Sequence, residues 1–253
     1  MIKVFLNDNL LAKYLALEIL NQLKLKKKLV IGCPSGRSLK KTYYHIGRLS
    51  TKMKINLSNL KIVMMDEYVN KKGKKYYLVD PTSHYSCIRF ANQVIIKLLN
   101  YKKNQKNKLK KENVFFPSII SPSSYDKKIK KIGGIDIFLL ASGSSDGHVA
   151  FNNIKSNING KTCIIKLSKE TRMDNMKTFS NFKRLSEVPK YGLTVGLGTI
   201  YSLSKMGILV LTGKEKKYAF NKINSLKKFD KNWPASIIYK CKIKKIYIDK
   251  LVK

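Results

Sequence analysis

Leu29-Val30-Ile31-Gly32-Cys33-Pro34-Ser35-Gly36-Arg37-Ser38 is the stretch on which the fold turns. Its first five residues are apolar and partly β-branched, and they stop at a Pro-Ser-Gly turn. A run that short reads as a strand buried on both faces, followed by a loop. Runs of the same type recur at 60–66 (LKIVMMD), 135–141 (IDIFLLA), 162–167 (TCIIKL), 193–198 (LTVGLG), 207–213 (GILVLTG), 235–239 (ASIIY) and 245–250 (KIYIDK). Helical patterns lie between several of them, at 38–49, 86–100 and 214–226. Strands alternating with helices predict an α/β fold with a mainly parallel sheet covered on both faces.

Upstream, Leu10, Leu11, Tyr14, Leu15, Leu17, Ile19, Leu20 and Leu23 form a helical stripe with Asn7 or Asp8 as its N-cap. Lys24–Lys28 close it where the helix dipole favours cations. Downstream, the lysine- and asparagine-rich segment 101–131 reads as a surface loop with a short helix near 123–131, and residues 1–253 read as a single domain. The opening MIKVFLNDNLLAKYLALEIL is interrupted by polar and charged residues and does not read as a signal peptide. No apolar run approaches the roughly 20 residues that span a bilayer, so a soluble protein with no membrane partner is expected.

Cys33, Cys87, Cys163 and Cys241 are scattered, with no C-x-x-C pair. That spacing points to reduced thiols in a cytoplasmic protein, and with only His45, His84 and His148 available no metal site is expected. The formal charge of +37 is carried almost wholly by lysine, with arginine only at Arg37, Arg48, Arg89, Arg172 and Arg184. The lysines run the whole length of the chain beside abundant Asn, Ile and Tyr, a set with A/T-rich codons. Base-composition drift accounts for it, and no specific nucleic-acid partner is expected, since such readers concentrate arginine in a local stripe. The field still favours anionic substrates.

In open α/β sheets ligands gather at the carboxyl ends of strands, which marks the loops after LVIGC, LKIVMM and IDIFLLA. Ser35, Gly36, Arg37 and Ser38 join a strand to a helix and offer hydroxyls and free N–H groups to a phosphate or carboxylate. An ordinary turn with Ser38 as N-cap reads equally well. Asp66 and Glu67 end an apolar run and point opposite ways, so at most one faces a cleft; partly desolvated there, it would have its pKa raised toward that of a general base. Ser142 to Asn152 crowd small residues around Asp146 and His148, where the acid is placed to orient or charge-balance the imidazole. His45 and His84 read as solvated. Lys216 follows a strand end, within reach of a bound phosphate, and Trp233-Pro234-Ala235 reads as a loop anchor.

Four segments, in order, resemble the glucosamine-6-phosphate deaminase/isomerase family: Met65-Asp66-Glu67-Tyr68-Val69, Pro81-Thr82-Ser83-His84-Tyr85-Ser86, Asp146-Gly147-His148-Val149-Ala150-Phe151-Asn152, and Val188-Pro189-Lys190-Tyr191-Gly192-Leu193-Thr194-Val195-Gly196. The resemblance covers nearly the whole chain. It implies a Rossmann-like three-layer α/β/α sandwich, no cofactor, and conversion of glucosamine 6-phosphate to fructose 6-phosphate and ammonia in amino sugar metabolism. In it Asp66 would abstract the C2 proton, and His148 with Asp146 would open the sugar ring. Ser35 to Ser38, Lys216 and Lys177 would hold the phosphate, with Lys177 standing where the family has arginine.

The family motif after the histidine ends Asn-Glu-Pro, and its glutamate completes the ring-opening relay; this chain reads Asn152-Asn153-Ile154, with Glu187 a conceivable substitute acid. Cys163 and Ile165 replace basic residues of allosterically regulated members. The activity is accordingly expected to be that of a hydrolase, deaminase and isomerase on a small sugar phosphate, in a chain open to forming a homo-oligomer. The competing readings are an isomerase or 6-phosphogluconolactonase-type hydrolase on another sugar phosphate, and a non-catalytic phosphosugar or nucleic-acid binder.

Overall fold

The computed structural model describes residues 2–253. Its chain runs through β1 (Ile2–Phe5), α1 (Asp8–Lys26), β2 (Leu29–Cys33), α2 (Lys40–Lys52), β3 (Leu60–Met64), β4 (Asp66–Lys72) and β5 (Lys75–Leu78). A long irregular helix follows, built of α3 (Cys87–Phe90), a π-helical turn (Ala91–Ile96) and α4 (Lys97–Leu99). Then come β6 (Val114–Phe115), α5 (Ser124–Lys131), β7 (Ile135–Leu140), β8 (Cys163–Lys166), α6 (Lys169–Thr178) and β9 (Tyr191–Thr194). The remainder is α7 (Leu197–Ser202), β10 (Ser204–Leu211), α8 (Lys217–Leu226) and β11 (Ile243–Asp249).

Seven strands form one sheet in the order β1-β11-β10-β7-β2-β3-β6, and every neighbouring pair is parallel. From the β2–β7 junction the chain winds one way through β3 and β6, and the other way through β10 and β11. Side chains alternate across the sheet. Leu29, Ile31, Ile62, Met64, Ile137, Leu139, Ile208 and Val210 pack on α1, α2 and the helix spanning 91–99. Val30, Val63, Phe138, Leu140, Leu209 and Leu211 pack on α5, α7 and α8. Both faces are therefore covered, which gives the three-layer α/β/α arrangement expected for near-continuous apolar strands. Among the described residues no helix is long and apolar enough to cross a membrane.

The first helix starts where its sequence says it should: Asn7 Oδ1 accepts from Leu10 N at 2.9 Å. Lys27, in the left-handed region, ends it by donating to Leu23 O.

Three departures from the sequence reading share a cause, namely that a short apolar run does not reveal which partner it will find. The run 60–66 stops as a main-sheet strand at Met64; after Met65 the chain starts β4, whose first residue is Asp66. Runs 162–167 and 193–198 do not join the parallel sheet. They supply β8 and β9 of a separate antiparallel sheet ordered β5-β4-β9-β8, and the second run passes into α7 at Leu197. The run 235–239 is helical, part of a 3₁₀ segment over Pro234–Lys240 that buries Ala235, Ile237 and Ile238 against the second face. Proline at its first turn suits a helix start and offers no ladder donor. β1 and α6 carried too weak a pattern to be read.

Gly32 pairs in register with Phe138 of β7. A Cβ there would stand 2.1 Å from the Phe138 ring. Gly32→Ala is therefore expected to destabilise the fold by about 1–3 kcal/mol through overpacking, measured by urea unfolding.

Candidate active site

A cavity of about 390 Å³ lies at the carboxyl ends of β2, β3, β7, β10 and β11, over the point where the sheet reverses its winding. This is where the topology of a doubly wound sheet leaves a crevice. Pro34 to Ser38, Asp66, His148 and Lys216 all line it.

The 34–38 loop is pinned by Tyr43, whose buried hydroxyl donates to Pro34 O at 2.8 Å. Gly36 takes φ +98°, a conformation that only glycine adopts freely, and faces the Thr178 methyl group of α6. Ser38 is not the cap of α2; the helix begins after Leu39 with no side-chain cap, and its first N–H, that of Lys40, donates to Arg37 O at 3.2 Å.

Asp66 and Glu67 divide as strand geometry requires. Asp66 lines the cavity and accepts from Thr194 Oγ1 at 2.5 Å, across the register that pairs the two residues. Burial pushes its carboxyl up to about 7, with the charge of Glu67 adding to the rise and the Thr194 hydrogen bond opposing it. Glu67 turns the other way and holds the start of α3, accepting from Ser86 Oγ at 2.8 Å, Cys87 N at 3.0 Å and Ile88 N at 2.9 Å.

On the opposite wall, His148 Nδ1 lies 2.7 Å from Asp146 Oδ1. The other oxygen of Asp146 accepts from Ser168 Oγ at 2.9 Å and Thr171 Oγ1 at 3.1 Å. Burial works to raise the pKa of Asp146, but the hydrogen bonds from His148 and Ser168 and the imidazole charge outweigh it and hold the carboxyl well below its ordinary value. Asp146 is thus a fixed anion that leaves Nε2 of His148 for the cavity. The loop tolerates no side chain at Gly143, where a Cβ would fall 2.2 Å from His148 Nδ1 and 2.3 Å from Asp146 Oδ1. Trp233 is buried and the segment after it is tied to this loop, Ala235 N donating to Gly147 O at 2.7 Å.

Lys216 Nζ donates to Ser142 O at 2.6 Å and Ser144 Oγ at 2.9 Å. Burial pulls its pKa below the usual lysine value, against the pull of Asp174 and Glu215. Lys177 is not brought in with the others: it is exposed on α6, off the face turned to the cavity. Glu187 also lies outside, bonded to Lys183 N at 2.8 Å. Asn153 is absent from the lining; its side chain accepts from Lys155 N at 3.0 Å and donates to Lys166 O at 3.1 Å.

Sequence reasoning missed α6 altogether. Thr171, Asp174, Asn175 and Thr178 repeat at helical spacing, and the last three line the cavity while the first supports Asp146. That polar periodicity behind Ser168, an N-cap that accepts from Thr171 N at 3.0 Å, was the available signal. The Asn175 amide nitrogen is buried without a partner, as a donor waiting for a ligand would be. Of the chain's 15 acidic residues, the cavity lining takes five: Asp8, Asp66, Asp174, Glu215 and Asp249.

No family model matches the chain. Over 235 residues it is 31% identical to the glucosamine-6-phosphate deaminase of Malacoplasma penetrans, covering 90% of this chain and 89% of that one. Over 247 residues it is 29% identical to the glucosamine-6-phosphate isomerase of Candida albicans, covering 93% and 90%. The structure of a monomeric glucosamine-6-phosphate deaminase superposes with a TM-score of 0.83 over 99% of this chain and 98% of that one, at 24% identity. These names correct one expectation. The curated relatives are deaminases and isomerases, and nothing among them supports a hydrolase. The 6-phosphogluconolactonases resemble this chain as structures, the Leishmania guyanensis enzyme with a TM-score of 0.71 at 14% identity, and that likeness shows the fold alone.

The raised pKa of Asp66 carries a stability consequence. Its folded value of about 7 lies above the 3.8 of an ordinary aspartate, so between those values the folded protein holds a proton that the unfolded chain has lost, and stability falls as pH rises through that window. At pH 8 ionised Asp66 costs about 4 kcal/mol, at 1.36 kcal/mol per pH unit. Asp66→Asn keeps an acceptor for Thr194 and is expected to be more stable than the parent at pH 8. Denaturant titrations should show the difference narrowing as the pH is lowered toward 4.

Proposed function

Because the chain belongs to the glucosamine-6-phosphate deaminase family, we propose that its cavity converts glucosamine 6-phosphate to fructose 6-phosphate and ammonia. The observation that carries this reading is a carboxyl group with a pKa near 7, buried at the floor of a polar cavity and facing an anchored Asp146–His148 pair. A general base works best when its pKa lies near the operating pH, and burial supplies that here.

The phosphate is held by the Ser35–Ser38 loop and Lys216, with the unpartnered Asn175 amide as a further donor. A partly desolvated lysine beside the hydroxyls and guanidinium of the Ser35–Ser38 loop suits a dianion. His148, fixed by Asp146, moves a proton on and off the ring oxygen through Nε2 and opens the sugar to its aldehyde. The aldehyde acidifies the C2 proton, which Asp66 removes to give an enolamine. Protonation at C1 then yields an imine at C2, and its nitrogen leaves as ammonia while an oxygen from water takes its place. Thr194 keeps the Asp66 carboxylate aimed by its hydrogen bond. Lys177 could reach a ligand only by swinging in from the exposed side of α6. The setting proposed is cytoplasmic, in keeping with four unpaired cysteines, and no nucleic-acid partner enters the mechanism.

Incubation of the purified protein with glucosamine 6-phosphate, following both products, tests the reading; absence of ammonia from folded protein would sink it. Asp66→Asn should lower kcat by about 10²- to 10⁴-fold, and Lys216→Ala should act mainly on KM. The acid limb of kcat/KM should fall away below about pH 7, where Asp66 takes up its proton. Thr194→Val removes a hydrogen bond that favours the carboxylate, so it should move that limb to higher pH. The shift identifies Asp66, since a substrate phosphate also titrates near pH 6.

A further inference from the structure

We propose that Asp174 is a second proton-transfer residue of the cavity, serving the sugar's anomeric hydroxyl while His148 serves the ring oxygen. The inference rests on the deaminase reading and adds a residue to it.

Opening a cyclic hemiacetal needs two proton transfers at oxygens carried by the same carbon. The anomeric hydroxyl loses its proton, the bond from C1 to the ring oxygen breaks, and its electron pair leaves with that oxygen, which takes up a proton. Asp146 cannot serve either oxygen directly, because both of its own are filled by His148, Ser168 and Thr171. Asp174 differs. Its Oδ2 accepts from Ser144 N at 3.1 Å, and Oδ1 has no protein partner among the described residues. One carboxylate oxygen of Asp174, one of Asp146 and a ring nitrogen of His148 lie within 4.8 Å of one another. Asp174 and His148 both line the cavity, so one sugar carbon bearing two oxygens could face the two groups together.

The other acids of the lining are engaged or removed. Asp8 is paired with Lys41 at 2.5 Å, Asp249 accepts from Gly213 N at 3.1 Å, and Glu215 is exposed at the rim. Asp66 is committed to C2. Asn153 cannot take a proton and is tied to the main chain. In the step proposed, the hydroxyl proton passes to Asp174 as His148 gives its Nε2 proton to the ring oxygen, and both groups re-equilibrate with solvent between turnovers.

The test compares the parent with Asp174→Asn, which keeps an acceptor for Ser144 N–H, and with Asp174→Glu. Steady-state kinetics with glucosamine 6-phosphate are combined with exchange NMR of the substrate's anomers in the Asp66→Asn background, where ring opening is isolated from the C2 step. Asp174→Asn is expected to lower kcat about 100-fold with KM little changed, to slow anomer exchange, and to be partly rescued by glutamate. Parental kcat in Asp174→Asn, or a change confined to KM, overturns the inference and leaves Asp174 as a counter-ion of Lys216. A parent that neither turns over nor anomerises the sugar overturns the underlying reading, and the inference with it.

Discussion

Burying a carboxylate at the joint between two sheets is the constraint around which this molecule is arranged. Asp66 sits two residues beyond the end of β3, at the first position of β4, so the parallel sheet delivers it and the antiparallel sheet covers it. Without the cover the acid would be hydrated and titrate like any other; with it, desolvation brings the pKa to the range where proton abstraction is useful. The cost falls on global stability, and the register of β4 against β9 limits it by putting Thr194 opposite the acid. Glu67, one position on, is forced to the other side of the strand, where it caps α3 and fixes the helix that follows. A single turn of the chain therefore sets the base, its cover and the neighbouring helix.

Three carboxyl groups, two buried and one half-buried, show how environment separates roles. Asp66 has one hydroxyl donor and is pushed toward neutrality. Asp146 is saturated by donors and held ionised. Glu67 collects backbone N–H groups and serves as a structural cap. Identical chemistry thus yields a base, an orienting anion and a cap, according to which hydrogen bonds are supplied.

Much of this was legible in the sequence. The apolar runs at 29–33 and 137–140 announced central strands because a strand covered on both faces is apolar at successive positions. Asp66 stood out as a polar residue ending the run 60–66, and the Asp146–His148 pair as polar residues in the small-residue loop after 135–141. The antiparallel sheet was hidden, since its outer strands β5 and β8 are short and half-exposed, and a run such as 162–167 looks the same whichever sheet it joins. Residues 235–239 were misread because a buried 3₁₀ segment and a buried strand share a composition. The cavity face of α6 was hidden for another reason: Asp174 and Asn175 acquire meaning only when the helix packs beside the 143–148 loop, a contact that no local pattern encodes.

The uneven placement of charge has a kinetic meaning. The chain carries 52 basic residues, yet a third of its few acids line one cavity. A dianionic substrate is thus drawn by a positive exterior toward a cavity in which acids are concentrated and its phosphate is favoured at Lys216 and the 35–38 loop. Added salt should therefore slow encounter far more than it alters the chemistry that follows, because exposed charges are screened over about 10 Å and buried ones much less.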